Sequence, residues 1–200
     1  MTRVPGRNLT RERIAHLAAR LMAEDGIEDY ALAKRKAARQ IGVPDARLLP
    51  NNEEIESALS SYRELYQSEH PTQLRKLRSL ALEAMNELDR FNPHLTGSAL
   101  TGSAGKYAGI QLQLFTDNAK AVEHYLLDRG RNFRSGQTRL YAGDMELVAP
   151  TLSYDREGAE VRLTVLSPRE LRSRLKASVE GKPIERAKRE TVEALISAAD

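Results

Sequence analysis

The most constraining feature of the sequence is a change in hydrophobic period near residue 93. Before it, apolar residues recur at helical spacing. After it, residues 110–115 (Ile-Gln-Leu-Gln-Leu-Phe) alternate apolar and polar, as in a strand with one buried face. A stretch rich in glycine, serine and alanine, residues 96–105, lies between the two patterns. This order predicts an α+β fold in which an N-terminal helical part is followed by a small mixed sheet flanked by helices.

Four helices are predicted before the change, over about 10–25, 29–41, 52–68 and 71–89. Thr10 and Asp29 are suitable N-caps for the first two, and either Asn51 or Asn52 is suitable for the third. Gly26 and Gly42 are expected to end the first two helices. Pro71 is tolerated in the first turn of the fourth.

The second half is predicted as a strand over 109–116, a helix over 118–129 capped by Asn118, and four strands over about 131–134, 137–142, 145–153 and 159–166. Residues 154–158, Tyr-Asp-Arg-Glu-Gly, read as a hairpin turn, so the last two strands should pair antiparallel. A short arginine-rich helix follows Ser167-Pro168, and a final helix is expected over about 184–197. The predicted boundary near residue 90 separates a helical region, 1–90, from an α+β domain, 91–200.

Composition narrows the classes of function. The 200 residues contain no cysteine, which excludes disulfides and thiolate metal sites and is compatible with the cytoplasm. The N-terminal residues lack the apolar core of a secretory signal, and no apolar run approaches the length of a membrane span. We therefore expect a cytoplasmic protein without a membrane partner. A net charge of +3 permits contact with nucleic acid without arguing for it.

The segment around the change of period resembles the polymerase-β-like nucleotidyltransferase superfamily over about residues 75–166. Leu95-Thr96-Gly97-Ser98 matches the short strand that ends in Gly-Ser, and Gly109-Ile110-Gln111 falls at that family's acid-x-acid position. The order of the following helix and strands also matches. The resemblance implies a site in which three carboxylates hold two divalent cations that bind a triphosphate.

The carboxylates themselves are missing. Gly109 and Gln111 stand at the first two acid positions, and Arg162 falls at about the third. A glycine has no ligating side chain, a glutamine is a weak ligand for magnesium, and an arginine repels a cation. The resemblance therefore implies a catalytically inactive member, a pseudoenzyme, that has no metal or other cofactor and that binds a nucleotide or RNA, or a protein partner.

The site residues predicted for a nucleotide or phosphate are small, polar or basic and lie on or near the Gly-Ser turn and the strands. They are Gly97, Ser98, Ser103, Lys106, Gln111, Gln113 and Arg162.

Two alternatives remain open from the sequence. The first is an active transferase with an unusual magnesium site that uses a displaced acid such as Glu160. The second is a DNA-binding regulator, because residues 14–43 resemble the helix-turn-helix of tetracycline-repressor-type proteins. The segment after Gly42-Val43 is short and bounded by Pro44 and Pro50, so it departs from a recognition helix and does not favour DNA as the partner.

Overall fold

A computed structural model describes residues 5–24, 27, 29–43, 48–66, 70–105, 107–179 and 181–198. Within these residues the chain is α+β, as predicted, with seven α-helices and a six-stranded mixed sheet. The helices are α1 (Pro5–Glu24), α2 (Tyr30–Ile41), α3 (Asn52–Tyr66), α4 (His70–Glu87), α5 (Gly97–Thr101), α6 (Ala119–Asp128) and α7 (Arg189–Ser197). The strands are β1 (His94–Thr96), β2 (Ile110–Phe115), β3 (Arg134–Ala142), β4 (Met145–Arg156), β5 (Ala159–Leu166) and β6 (Leu175–Lys176).

The chain divides into two compact units. The first comprises residues 1–73 together with 103–108, and the second comprises 74–102 and 109–200. The helix α4 therefore belongs mostly to the second unit. The loop 103–108 belongs to the first unit, although the residues before and after it in the sequence belong to the second.

The first unit is built from α1, α2 and α3 around a core rich in alanine and aliphatic side chains. Asp29 caps α2 by accepting hydrogen bonds from two backbone N–H groups, and Gly42 ends it with φ of 77°. Asn51 caps α3: its Oδ1 accepts from the N–H of Glu54, and the Glu54 carboxylate accepts from the Asn51 N–H. These three predicted ends are confirmed.

The prediction for α1 was wrong at its start, because the helix begins at Pro5 and Thr10 lies inside it. Proline suits a first helical position, since its missing N–H would have no partner there. The predicted stop at Gly26 lies outside the described residues, and so do residues 44–47 of the segment compared with a recognition helix.

Side chains of α3 and α4 bind the loop 103–108 of the first unit. The buried Arg63 donates a hydrogen bond from Nη2 to the carbonyl oxygen of Ser103 (2.6 Å), and His70 Nε2 lies 2.8 Å from the carbonyl oxygen of Ala104. Ala104 itself is buried. These contacts satisfy loop carbonyls that no regular secondary structure pairs.

The second unit contains the whole sheet, in the strand order β1-β2-β5-β4-β3-β6. Strands β2 and β5 pair in parallel, and the other neighbours pair antiparallel. The predicted antiparallel pairing of β4 with β5 is confirmed, but the turn predicted over 154–158 is only Glu157-Gly158, because residues 154–156 belong to β4 and pair with β5.

Two predictions in this region were wrong. Strands were predicted at 131–134 and 137–142, but residues 131–133 are not strand, and residues 134–142 form one strand, β3, because Gly136 lies within the ladder opposite Thr151. The last helix begins at Arg189 instead of near 184, because Ala187 pairs with Leu95 as a bridge at the sheet edge.

The main core of the second unit lies between one face of the sheet and the helices α4, α6 and α7. Strand β2 contributes Ile110, Leu112 and Leu114 to it, and each is almost completely buried. A smaller cluster on the opposite face includes Phe115 and Leu175. Because both faces of β2 are covered, five of its six residues are buried.

An ionic cluster fixes the end of α4 against the sheet. The Glu87 carboxylate accepts hydrogen bonds from Arg131 (2.7 and 3.0 Å) and from Arg156 (2.6 Å). The side chain of Glu87 is 10% exposed. Burial by itself raises the pKa of Glu87, but the hydrogen bonds and the positive charges of the two arginines outweigh it, and the net pKa is lowered.

None of the helices in the described part of the chain combines the length and the apolar character needed to cross a membrane.

Core packing predicts that replacing two different leucines of the second unit by alanine will lower the free energy of unfolding by very different amounts. We expect Leu112→Ala, at a side chain 1% exposed, to lower the free energy of unfolding by about 2–5 kcal/mol, because it opens a cavity. Leu127→Ala on α6, where the side chain is 58% exposed, should change it by no more than about 0.5 kcal/mol. Urea unfolding monitored by circular dichroism measures both. Equal losses would contradict the described core.

The Glu87 cluster predicts a pH-dependent contribution to stability. Glu87→Gln should cost about 1–3 kcal/mol at pH 7, because two guanidinium groups lose their charged acceptor. Since the folded-state pKa is lowered, this contribution is complete above the unfolded value of 4.5 and is lost as the pH falls below it.

In thermal-unfolding scans, the difference in melting temperature between wild type and Glu87→Gln should therefore become smaller below about pH 4.5. Glu146→Gln is the control, because its carboxylate is 45% exposed and pairs with Arg139 at 3.5 Å. A constant difference across this range would contradict the role of the charge.

Candidate functional site

The parallel pairing of β2 with β5 brings the central predicted residues together. Gln111 lies opposite Arg162, and Gln113 lies opposite Thr164. The neighbours of Gln111 and Arg162 along their strands point into the main core, so these two side chains point to the other face of the sheet. Five residues in register across the sheet continue this line, and we call them the polar row: Thr96, Gln111, Arg162, Ser153 and Arg134, on β1, β2, β5, β4 and β3.

The Gly-Ser turn lies directly beside Gln111. Gly97 has a φ of 71°, a left-handed conformation that favours glycine. A Cβ atom at this position would lie 2.9 Å from both Cδ and Oε1 of Gln111, so the glutamine side chain packs against the Gly97 backbone too closely for a larger residue to fit without a shift. Thr96 adds a hydrogen bond of 3.2 Å from Oγ1 to the carbonyl oxygen of Gln111.

A buried arginine holds the short helix that follows the turn. Arg78 on α4 donates hydrogen bonds to the carbonyl oxygens of Ala99 (2.9 Å) and Leu100 (3.1 Å), which are C-terminal acceptors of α5. Burial lowers the pKa of Arg78. The Oγ of Ser98, in the first turn of α5, is buried and has no hydrogen-bond partner among the described residues.

Gly109, the residue that the resemblance places at the first acid position, has no room for a side chain. A Cβ atom at Gly109 would lie 2.8 Å from the carbonyl oxygen of Glu160 on the neighbouring strand, which is a backbone atom that cannot rotate away. Introducing aspartate at this position therefore requires the backbone to shift.

Glu160 is the one acid near the polar row that the sequence offered as a metal ligand, and two arginines hold it. Its Oε1 accepts from Arg134 Nη2 at 2.7 Å, and its Oε2 accepts from Arg162 Nη2 at 3.1 Å. Within the described part of the chain, no three histidine, aspartate or glutamate side chains lie close enough together to hold a metal ion. The row thus carries two exposed arginines, and both pair with the Glu160 carboxylate beside it.

Gln113 lies beside the polar row, two residues after Gln111 on β2. Its side chain is buried, and its Oε1 accepts a 2.6 Å hydrogen bond from Arg186 Nε. Arg186 also donates to three carbonyl oxygens of the segment 170–173 and lies over the Phe115 ring, with Cζ 5.2 Å from the centroid. This arginine ties the segment after β5 to the sheet.

His94, paired with Gln113 on β1, is buried edge-to-face against Phe115 with ring centroids 5.1 Å apart. Burial and, to a smaller extent, the positive charges of Lys188 and Arg186 lower the pKa of His94. A hydrogen bond to the carbonyl oxygen of Asn92 acts in the opposite direction, but the net pKa is lowered. A neutral imidazole at this position adds no charge beside the polar row.

The structure places the predicted site residues in different parts of the chain. Gly97, Ser98, Gln111, Gln113 and Arg162 all belong to the second unit and lie on or beside the polar row. Ser103 belongs to the first unit, where its carbonyl oxygen accepts from Arg63. Lys106 lies outside the described residues.

Two arginines near the site were missed from the sequence. Arg134 joins the polar row because β3 pairs antiparallel with β4 in this register. The sequence prediction had divided β3 into two strands. Arg186 is 73 residues away from Gln113, and no local pattern marks it. A continuous period-two reading of β3 could have identified Arg134, but only the tertiary structure reveals Arg186.

No protein-family profile, curated protein or solved structure matched this chain in the comparisons made with each.

The contact between Gly97 and Gln111 can be measured by a double-mutant cycle. Gly97→Ala should destabilise the protein by more than about 1 kcal/mol, because it combines left-handed strain with an overlap on the Gln111 amide. Gln111→Ala removes the overlapping atoms, so the double variant should be more stable than the sum of the single changes implies.

Gly130→Ala is the control for strain alone, because Gly130 has a φ of 65° and no atom within 4 Å of an added Cβ. Thermal unfolding of the variants gives the coupling energy. Additive effects of the two changes would contradict the close packing at the turn.

Proposed function

We propose that the second unit is a non-catalytic, nucleotidyltransferase-like domain that binds a nucleotide or another phosphate-bearing ligand, such as an RNA end, without a metal ion. The observation that carries this proposal is the placement of Gln111 and Arg162 side by side next to the Gly97 turn, where the related family is expected to hold its metals. All the residues that carry the proposal belong to one unit.

The order of elements supports the family assignment within this proposal. The helix α4 leads to β1, which ends at Gly97-Ser98, and β2 pairs antiparallel with it. The helix α6 and the hairpin of β3 and β4 then return the chain to β5, which lies parallel to β2. This is the sequence of elements that the resemblance implies.

Arg162 is the main binding group in the proposal. Its side chain is 54% exposed, and a guanidinium binds phosphate oxygens through charge-assisted hydrogen bonds. The Gln111 amide lies on the adjacent strand and adds neutral polar contacts. The absence of a Cβ at Gly97 lets the Gln111 side chain pack directly against the backbone of the turn, which positions the Gln111 amide beside Arg162.

The same geometry argues against retained transferase chemistry. Two-metal phosphoryl transfer needs several carboxylates around one point. Gly109 cannot carry one without a backbone shift, Gln111 is neutral, and Glu160 is shared between two guanidinium groups. An arginine in the ligand set would also repel a second cation. Phosphate binding by cations is the chemistry that these side chains favour.

Isothermal titration with ATP and GTP, in excess EDTA and again with magnesium, tests the proposal. We expect heat of binding in EDTA. Arg162→Ala should weaken binding by about tenfold or more, the effect of losing a hydrogen bond to a charged group. Arg139→Ala should leave it unchanged, because Arg139 lies on the other face of β3.

Absence of heat for the wild type under both conditions would refute the proposed function. Binding that requires magnesium would instead favour an active transferase with an unusual metal site.

A further inference from the structure

We propose that the polar row binds a terminal phosphate group, a phosphomonoester, between Arg134 and Arg162, and that this group displaces Glu160 from both arginines. The inference rests on the proposed function and specifies its ligand. It adds Arg134 and Glu160 to the site, neither of which the sequence resemblance implies as a phosphate-binding residue.

The two arginines reach the same anion from opposite sides. Arg134 is on β3 and Arg162 is on β5, with one strand between them, so their Cα atoms are about 10 Å apart. Their guanidinium groups nevertheless converge on one carboxylate, each on a different oxygen, at 2.7 and 3.1 Å. This is a clamp that already holds an anion with two oxygens.

The clamp is open to a ligand. The side chains of Arg134, Arg162 and Glu160 are 81%, 54% and 37% exposed. The residue between the two arginines on β4 is Ser153, whose side chain is too small to fill the space between them. A group arriving from solvent can therefore reach both guanidinium groups.

The charges favour a dianion over a monoanion. With Glu160 in place the three side chains carry a net charge of +1, and when the carboxylate leaves, the two guanidinium groups carry +2. A phosphomonoester has close to two negative charges at neutral pH and three terminal oxygens, whereas a phosphodiester has one charge and two such oxygens. A terminal phosphate therefore satisfies both arginines more completely than an internal one.

Glu160 sets the affinity in this scheme. It is tethered two residues from Arg162 on the same strand, so it competes with the ligand at a high effective concentration. Removing its charge while keeping its shape should free both arginines for phosphate. Removing Arg134 should weaken phosphate binding even though β3, which carries Arg134, is four strands away from β1, the strand that the predicted turn follows.

The test is isothermal titration in EDTA with adenosine 5′-monophosphate and, separately, adenosine 3′,5′-cyclic monophosphate. Glu160→Gln should tighten binding of the open monophosphate about fivefold, the scale expected for releasing two exposed ion pairs. Arg134→Ala should weaken it about as much as Arg162→Ala does. The cyclic diester should bind the wild type more weakly than the open monophosphate.

The control is Glu146→Gln, which removes a similar exposed glutamate–arginine pair, with Arg139, on the same sheet and outside the polar row. It should leave the affinity unchanged, which would separate the local effect of Glu160 from a general change in net charge. Circular dichroism of each variant verifies the fold.

The outcomes separate the two proposals. If the wild type binds the monophosphate and Glu160→Gln binds no more tightly, or if the cyclic diester binds equally well, this inference is overturned and the proposed function stands. If neither ATP nor the monophosphate binds to the wild type or to Glu160→Gln, the proposed function fails as well.

Discussion

The parallel pairing of β2 with β5 is the constraint on which the second unit depends. Parallel neighbours cannot be joined by a tight turn, so the chain must leave β2, form α6 and the hairpin of β3 and β4, and return. The same pairing puts Ile110, Leu112 and Leu114 into the main core beside their partners on β5. A shift of register by one residue would turn all of these side chains away from the helices, so packing of the core fixes the register.

That register also determines the chemistry of the opposite face. Once the apolar side chains of β2 and β5 point to α4, α6 and α7, Gln111 and Arg162 must point away from them and lie side by side. The arginines around the sheet then differ in the acceptors to which they hydrogen-bond. Arg131 and Arg156 are paired with the mostly buried Glu87, and Arg186 is bonded to Gln113 and carbonyl oxygens. Arg134 and Arg162 share an exposed carboxylate, and for this reason we propose them as the pair that binds a ligand.

Local patterns predicted much of the helical and strand content because the signals are local. Asp29, Asn51 and Asn118 cap helices through their own neighbouring N–H groups, and the alternation in 110–115 needs no tertiary information. Errors came where distant contacts decide. The start of α7 depends on the bridge between Ala187 and Leu95, and the continuity of β3 depends on its pairing with β4. Of the residues predicted for the site, Gly97, Gln111 and Arg162 lie side by side in the structure, whereas no sequence pattern pointed to Arg186.

The sequence by itself determined the class of fold and the lack of carboxylates at Gly109, Gln111 and Arg162, because both follow from residue types and their spacing. Only the tertiary structure decided which residues meet. It assigned Ser103 to the first unit and the polar row to the second, and it showed that Gly109 lacks space for a side chain. It also brought Arg134 and Arg162 to the two oxygens of Glu160, because strand register across three strands is set by core packing and not by any local pattern.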